Sequence, residues 1–357
     1  MSKAERIYLD HAATTPVLAE ARAAMAEALL RWANPSSPHA DGRDARAALD
    51  KARRTIAERI GWRHDVIITS GASEAIALAA RGAKVPGRVV GATEHDAVHA
   101  VMGRAKALGV GADGRVDKHQ LDAVLAGPPA LIAIQHVNNE TGVIQDIAEI
   151  QPRVAQAGSL LLVDCAQSAG KLPLPDADFI AVSAHKLGGP PGVGALLVRD
   201  LARLQAAGGQ EKGYRRGTEN LPGAAGFAAA LDQKGYDLER AACLRRLLDE
   251  TIENAGGLVI AADTPRIPTI GAYTMPGVSG ASQLVQFDLA GISVSAGSAC
   301  SSGSMKPSRV LQAMGLPDDV VESTIRASFG PDTTENEIAR FVAEWSRIAS
   351  RASGRAA

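Results

Sequence analysis

Lys186 and Asp164 stand at the ends of two predicted strands and could hold one flat ligand between them. The apolar run Leu161–Val163 ends in Asp164, and the apolar run Phe179–Val182 leads through a short stretch to Lys186. A lysine that forms a Schiff base with pyridoxal phosphate needs a carboxylate elsewhere to keep the pyridinium nitrogen protonated. Neighbouring strands could deliver both groups to one ring, so the pair predicts a pyridoxal-phosphate site. The alternative is an ordinary strand-end aspartate and a surface lysine.

A phosphate group could bind where the predicted strand Val66–Thr69 passes into a helix. Gly71, Ala72 and Ser73 occupy this junction. Free backbone N–H groups and the helix dipole attract anions there, and a serine hydroxyl would add a donor. The same residues would also suit a simple helix cap. Further candidate donors are Ser183, His185 and Thr218.

Two histidine-containing segments follow other predicted strands and could act on a bound ligand. His95 is placed to stack on a flat ring or to exchange protons near neutral pH, although a solvated histidine at a helix start is the simpler interpretation. His95 and His99 also have the i,i+4 spacing of a metal pair, but no third ligand accompanies them, so we expect no metal. The segment His136–Gly142 is densely polar after a buried strand, which is typical of a binding loop or of an Asn- and Gly-rich turn.

Cys300 and Arg326 are candidates for the reaction itself. Cys300 lies in the run Ser295–Ser304, which has almost no apolar anchor, so its thiol is a candidate moving nucleophile rather than a packed cysteine. Arg326 is embedded in a strand-like run, where its guanidinium needs a partner, either a substrate carboxylate or an internal ion pair. Of the other two cysteines, Cys243 is expected in the core and Cys165 beside the cofactor.

Composition restricts the class of protein. The 357 residues suffice for two domains, and the net charge of −1, with 3% aromatic residues, gives no indication of a nucleic-acid or membrane partner. Three widely spaced cysteines argue against a disulfide framework and favour the cytoplasm. The charged start of the chain, Met1–Arg6, does not read as a signal peptide, and we expect none.

The order of the predicted elements indicates an α/β fold. Strands and helices alternate through the first two thirds of the chain, which predicts a mostly parallel sheet flanked by helices, with ligand groups at the carboxyl ends of its strands. After about residue 230, a charged helix over Leu238–Asn254 and several short strands predict a smaller α+β domain.

Taken together, the motifs resemble those of the pyridoxal-phosphate cysteine desulfurases of the nitrogen-fixation and iron–sulfur-cluster type, within the class V aminotransferase-like family. The match runs nearly from end to end of the chain. Its segments are Tyr8–Pro16, Asn34–Ser37, Thr69–Glu74, Thr93–His95, His136–Gly142, Val163–Ser168, Ser183–Lys186, Gly217–Asn220, Gly297–Cys300 and Ile325–Arg326.

The resemblance implies a fold-type I transferase that uses pyridoxal 5'-phosphate. Residues 14–230 would form the large cofactor-binding domain, and residues 1–13 with 231–357 the small domain. Lys186 would hold the cofactor and move the proton, Asp164 would pair with the pyridinium nitrogen, and His95 would stack on the ring as an acid/base. Gln167 would touch the phenolic oxygen. The phosphate ligands would be Ala72, Ser73, Ser183 and His185, together with Thr218 from the second subunit of a homodimer.

The resemblance also implies the substrate and the path of the sulfur. Asn139 and Arg326 would hold the carboxylate of L-cysteine. Cys300 would take the sulfur as a persulfide, release alanine, and pass the sulfur to an acceptor protein, for which an iron–sulfur scaffold is one candidate. Ser73 stands where the family more often has Thr, and Ala184 where Gly is common.

Two other functions compete with desulfuration. A selenocysteine lyase or another β-eliminating lyase could use the same scaffold, and the long Gly- and Ser-rich run around Cys300 favours desulfuration over both. A non-catalytic sulfur carrier or scaffold is the third candidate. The joint presence of five candidate site residues argues against it: Lys186, Asp164, His95, Arg326 and Cys300.

Overall fold

The structure is a computed model that describes residues 6–233, 235–297 and 306–356, with side chains as far as residue 352. Its strands are β1 (Ile7–Tyr8), β2 (Asp65–Thr69), β3 (Gly87–Gly91), β4 (Lys106–Leu108), β5 (Ala130–Gln135), β6 (Leu160–Asp164), β7 (Phe179–Ser183), β8 (Gly194–Val198), β9 (Leu258–Val259), β10 (Ile270–Thr274), β11 (Ile292–Ser293) and β12 (Thr324–Ser328). Its helices are α1 (Ala19–Leu29), α2 (Ala40–Ile60), α3 (Ala72–Gly82), α4 (Asp96–Met102), α5 (Lys118–Leu125), α6 (Ile147–Gln156), α7 (Leu221–Leu231), α8 (Leu238–Asn254), α9 (Gly280–Leu289), α10 (Arg309–Ala313), α11 (Asp318–Glu322) and α12 (Glu335–Ala356).

A seven-stranded sheet occupies the first part of the chain, in the order β2-β8-β7-β6-β5-β3-β4. Strands β4, β3, β5, β6 and β7 run parallel, whereas β8 is antiparallel to both β7 and β2. The carboxyl ends of β2, β3, β5, β6 and β7 therefore lie at one edge of the sheet. The prediction of a mostly parallel sheet flanked by helices is confirmed.

The central strands are apolar along their whole length because both faces of the sheet are covered. All residues of β5, β7 and β8 are buried. One face packs against a cluster that includes Ile56 of α2 and Phe227 of α7, and the other against Ile76 of α3. A strand that is buried on both faces has no polar side to present, so apolar runs replace the alternating pattern of a half-exposed strand.

The rest of the chain builds a second apolar cluster. Strands β9, β10 and β12 form an antiparallel sheet, and β1 pairs with β11. Ile7 and Leu9 pack with Leu248, Phe341 and Trp345 in this cluster, so β1 and the residue after it are joined to the C-terminal part of the chain. This grouping supports the domain division expected from the sequence, with residues 1–13 belonging to the small domain, and we propose that division here.

Glu211 closes the outer edge of the seven-stranded sheet. Strand β2 is an edge strand, and the buried Glu211 Oε2 accepts the backbone N–H of Ile68 at 2.9 Å. Glu211 Oε1 also pairs with Arg53 Nη2 at 2.7 Å. The side chain thereby takes the place of a further strand at this position.

Within the described residues, no helix is both long enough and apolar enough to cross a membrane.

Candidate active site

A cavity of about 340 Å³ opens at the edge of the sheet where the parallel strands end. Its volume lies in the usual range for small-molecule sites, roughly 300–1,000 Å³. The sequence motifs of β2, β3, β5, β6 and β7 converge on it because each directly follows its strand. Nine of the predicted site residues line it: Ala72, Ser73, His95, Asn139, Asp164, Gln167, Ser183, His185 and Lys186.

One end of the cavity is formed by the N-terminus of α3. Gly71, the residue before the helix, has φ +150° and makes no side-chain cap, so the first N–H groups of the helix are left for a ligand. Strand β8 can lie close to Gly71 because residue 194 is also glycine. A Cβ on residue 194 would lie 2.4 Å from the Val182 carbonyl oxygen and 2.7 Å from Gly71 Cα. The junction therefore has the form of an anion site, as the sequence predicted.

A salt bridge ties this helix start to a distant loop. Glu74 Oε2 accepts the Ser70 N–H at 2.5 Å, and Glu74 Oε1 accepts from Arg215 Nε at 2.9 Å. Although burial opposes ionisation, the hydrogen bonds from Ser70 and Arg215 keep the pKa of Glu74 below its usual value. The glutamate therefore stays ionised and holds the loop against the helix start.

His95, Asp164 and Lys186 all line the cavity, and both charged groups act on the His95 ring. His95 Nδ1 accepts the N–H of Ala97 at 3.1 Å, so the neutral ring carries its proton on Nε2. Burial and the nearby Lys186 lower the pKa of His95, while Asp164 opposes this effect. The lowered pKa favours the neutral form of His95, whose Nε2–H can donate to a ligand. Its Nδ1 can take up a proton only when it releases the Ala97 N–H.

His185 is held beside this group in its neutral form. Its Nδ1 lies 3.2 Å from Thr14 Oγ1, and Thr15 N–H donates to its backbone carbonyl at 2.8 Å. Burial, followed by the charge of Lys186, lowers the pKa of His185 to about 4. A neutral imidazole can still donate one hydrogen bond to a phosphate oxygen without adding charge.

Gln167 supplies a test of whether pyridoxal phosphate fits these residues. Its side chain is buried in the cavity wall, and its Nε2 donates to the Ala12 carbonyl at 2.9 Å. Its Oε1 has no hydrogen-bond partner among the described residues, and a buried polar atom without a partner is costly. A ligand with polar ring substituents would satisfy it. Together with the open helix start, the carboxylate and the lysine, the donor set fits the cofactor.

Arg326 has partners on the protein itself. Its Nη2 pairs with Asp10 Oδ1 at 2.7 Å and its Nη1 donates to the Asn139 carbonyl at 2.8 Å. Its Nε is buried and has no partner among the described residues. The structure therefore shows the internal ion pair, and Arg326 is not among the residues that line the cavity, so its contact with a substrate carboxylate stays a prediction.

Not every predicted residue lies at the cavity. Thr218 is exposed and does not line it. Cys300 lies outside the described residues. Cys165 is buried but is not among the residues that line the cavity, so its expected place beside the cofactor stays a prediction. The prediction that Cys243 is in the core is wrong, since it lies on the exposed face of α8. Within the described ranges no cluster of His, Cys, Asp or Glu could hold a metal, so His95 and His99 have no further ligands there.

Three acidic residues at the site were missed by the sequence reasoning. Asp10 pairs with Arg326, Glu140 accepts from Ser308, and Glu94 Oε1 accepts the Gln135 N–H at 2.7 Å. Burial raises the pKa values of both glutamates. Each residue lies directly within or beside a motif that was singled out. A carboxylate next to a site residue in a buried stretch was the available signal.

Comparisons with known proteins agree with this site. Residues 7–341 match the model of the aminotransferase class-V family. A protein named cysteine desulfurase IscS, from Anaeromyxobacter sp., is 37% identical over 94% of this chain and 90% of its own length. The X-ray structure of a NifS-like protein from Rickettsia africae has a TM-score of 0.87 at 29% identity, over 97% of this chain and all of that one.

A second solved structure, titled SspA in complex with cysteine, has a TM-score of 0.79 at 29% identity, over 92% of this chain and all of its own. These likenesses extend over both the large sheet and the small domain. The chain belongs to the aminotransferase class-V family and has the fold of its NifS-like members.

Proposed function

We propose that this protein is a pyridoxal-phosphate-dependent cysteine desulfurase that converts L-cysteine to L-alanine and receives the sulfur on Cys300. The observation that carries the proposal is the convergence of Lys186, Asp164 and His95 on a cavity beside an open helix start. The relatives named cysteine desulfurase and the neighbour solved with cysteine support the choice of substrate.

The overall reaction balances without an outside oxidant or reductant. The Cys300 thiol and the substrate thiol become a persulfide, the substrate C–S bond breaks, and its carbon takes up a proton to become the methyl group of alanine. When bound, pyridoxal phosphate supplies the electron sink that makes the substrate Cα–H acidic and the C–S bond cleavable. The residues of the chain then have to bind, orient and exchange protons.

Three residues at the middle of the cavity would divide this work. Lys186 would hold the cofactor covalently and move the proton between Cα and its neighbours. Asp164 would keep a positive charge on the pyridinium nitrogen, which the electron sink requires. His95, which is neutral and protonated on Nε2, would cover the ring face and exchange a proton with the reacting thiol.

The phosphate would bind at the start of α3. The N–H groups of Ala72 and Ser73, the Ser73 and Ser183 hydroxyls and the neutral His185 ring would donate to it. Gln167 would face the ring's phenolic oxygen from the cavity wall. These assignments follow from the lining of the cavity and from the family motif.

Asn139 and Arg326 would hold the substrate carboxylate. Asn139 lines the cavity, and its backbone carbonyl receives the Arg326 Nη1–H. The unpartnered Arg326 Nε would be the donor that a carboxylate completes, in a charge-assisted hydrogen bond.

The variant Arg326→Ala should bind substrate less well. Loss of a buried charge-assisted contact should lower kcat/KM for L-cysteine by roughly 10- to 1,000-fold. Because Asp10 loses its partner, the melting temperature should fall as well. Arg326→Lys keeps the positive charge but not the planar guanidinium with its three nitrogen donors. It should therefore restore the melting temperature more than the affinity for L-cysteine. Unchanged apparent affinity in a destabilised Arg326→Ala protein would make this arginine a structural ion-pair residue.

Thr218 supports a homodimer in which each subunit completes the other's phosphate site. Thr218 is exposed and does not line the cavity of its own subunit. Arg215, shortly before it in the chain, holds this segment to Glu74 at the start of α3. We expect a dimer by ultracentrifugation at assay concentration. Thr218→Ala should weaken cofactor binding, whereas Thr251→Ala, at a half-buried threonine on α8 that does not line the cavity, should not. A fully active monomer would contradict this.

Alanine formation tests the proposed function. Purified protein supplied with pyridoxal phosphate, L-cysteine and a thiol reductant should form alanine and sulfide in equal amounts. A β-eliminating lyase would form pyruvate instead, and a non-catalytic carrier would form neither. The selenocysteine lyase would be favoured if wild type and Cys300→Ser both turned over selenocysteine at least as fast as wild type turns over L-cysteine.

An acceptor protein in the cytoplasm, such as an iron–sulfur scaffold, would consume the sulfur.

A further inference from the structure

The turn that carries Lys186 is held by a residue from near the start of the chain. Residues Ala184–Lys186 form a single 3₁₀ turn after β7. The last carbonyls of a helical turn have no partner inside it and must find one elsewhere. The Thr15 N–H donates to the His185 carbonyl at 2.8 Å, and Thr15 Oγ1 donates to the Lys186 carbonyl at 3.2 Å. One residue therefore supplies the donors for two consecutive carbonyls of the lysine turn.

The two segments stay together beyond this contact. The Leu18 N–H donates to the Gly188 carbonyl at 2.9 Å. The packing there is close, since a Cβ on residue 188 would lie 2.6 Å from Leu18 Cγ. Residues 15–18 therefore lie fixed along residues 185–188.

The Thr15 hydroxyl is oriented by two further side chains. A carbonyl can only accept a hydrogen bond, so the single proton of this hydroxyl goes to Lys186 and two lone pairs remain. Tyr236 Oη lies 3.2 Å from Thr15 Oγ1, and His11 Nδ1 lies 3.3 Å from it. Burial raises the pKa of Tyr236 to about 12, so its O–H keeps its proton and can donate. Thr15 and His11 are 3% and 9% exposed, which leaves water little access to replace these contacts.

The path from Tyr236 through Thr15 ends on the proposed catalytic lysine without entering its cavity. Tyr236 comes after α7 and just before α8, at the junction of the two proposed domains. Neither Tyr236 nor Thr15 lines the cavity. Any effect of these two residues on a bound ligand must therefore pass through Lys186 and its turn.

We propose that Thr15 and Tyr236 are positioning residues that fix the backbone of Lys186, so that its amine meets pyridoxal phosphate and the substrate Cα. The inference rests on the proposed function, because it concerns the aim of the proposed catalytic lysine. A lysine amine sits at the end of a flexible stem, so a fixed backbone is needed to limit where its nitrogen can go. A misplacement of about 1 Å can lower a rate by roughly 100-fold.

The test measures how fast cofactor-free protein becomes yellow when pyridoxal phosphate is added. In this step the Lys186 amine condenses with the cofactor aldehyde and releases water, so the measurement needs no substrate. Thr15→Val keeps the shape of the side chain but loses the hydroxyl, and it should slow the step by roughly 10- to 100-fold. Thr15→Ser keeps the hydroxyl and should recover most of the rate. Borohydride reduction and mass spectrometry identify Lys186 as the lysine measured.

Two further measurements follow the same path. In Thr15→Val, kcat and kcat/KM for L-cysteine should fall by equal factors, as expected when a contact that acts in the transition state is lost. Tyr236→Phe removes one hydrogen bond to the Thr15 hydroxyl and should slow cofactor attachment by roughly 2- to 10-fold. Because Tyr236 acts through Thr15, the double variant Thr15→Val/Tyr236→Phe should be no slower than Thr15→Val alone.

A second buried threonine separates positioning from simple stabilisation. Thr274 is 1% exposed, and its Oγ1 lies 2.6 Å from Thr324 Oγ1, which joins β10 to β12. Thr274→Val should lower the melting temperature, as Thr15→Val does, yet leave cofactor attachment at the wild-type rate.

The outcomes for the inference and for the proposed function are distinct. A wild-type rate of cofactor attachment in Thr15→Val, or an equally slow Thr274→Val, would overturn the inference alone. If Thr15→Val does not fold, Tyr236→Phe decides, and a wild-type rate in that variant overturns the inference. A wild-type protein that never becomes yellow would instead overturn the proposed function.

Discussion

Lys186→Ala should eliminate turnover and the yellow absorbance of covalently held pyridoxal phosphate, while the protein remains folded. Lys186 lines the cavity together with Asp164 and His95, and we assign it both the covalent link and the proton transfer at Cα. Removing a general base alone lowers rates by roughly 100- to 10,000-fold, and the lost link should add to this. Absorbance spectra and alanine formation from L-cysteine measure the two effects separately.

A second lysine provides the control for this variant. Lys171 is half-buried, lies over the ring of Tyr236 at 4.6 Å, and does not line the cavity. Burial lowers its pKa to about 7, so part of its amine is neutral and nucleophilic at physiological pH. Lys171→Met should keep the absorbance and Lys186→Arg should lose it. An active, yellow Lys186→Ala protein would end the cofactor assignment.

Cys300→Ser should separate substrate binding from sulfur transfer. Serine keeps the size of the side chain but is a far poorer nucleophile toward sulfur than a thiolate. The variant should still shift the cofactor absorbance when L-cysteine is added, yet form alanine and sulfide at least about 1,000-fold more slowly. Mass spectrometry should find one added sulfur atom on wild type incubated with L-cysteine and none on the variant.

The remaining cysteines make this assignment specific. Of the two cysteines in the described residues, Cys243 is the accessible one. It is exposed on α8, and Arg246 Nη2 lies 3.2 Å from its sulfur. Cys165 is buried, which raises its pKa and keeps it protonated. Cys243→Ser should therefore transfer sulfur as wild type does. Wild-type sulfide production by Cys300→Ser would place the nucleophile elsewhere and favour a lyase.

The large sheet and its site were predictable because their signals are local. Asp164, Lys186 and His95 each come directly after a buried strand, and the carboxyl ends of parallel strands must meet at one edge. Apolar runs indicated the strands, and a charged segment after the large sheet indicated α8. For α8 the predicted bounds, Leu238–Asn254, coincide with those of the structure.

The contacts that join distant parts of the chain could not be predicted in this way. Asp10 pairs with Arg326, 316 residues away, and Glu140 with Ser308, 168 residues away. Neither partner carries a local pattern that indicates the other, because such pairs form only when segments far apart in the sequence pack together. The prediction for Cys243 failed for a different reason. The helical pattern indicated that α8 has a buried face, but it did not show whether Cys243 lies on that face.

Glu211 has a consequence for the behaviour of the protein in a crowded solution. An edge strand presents unpaired N–H and carbonyl groups, which can add a strand from another chain and begin an aggregate. The carboxylate of Glu211 occupies the Ile68 N–H on that edge, and it is held there although residue 211 has a left-handed φ of +51° that side chains rarely adopt. A residue with a strained backbone thus blocks one of the hydrogen-bond donors that a further strand would need at the β2 edge.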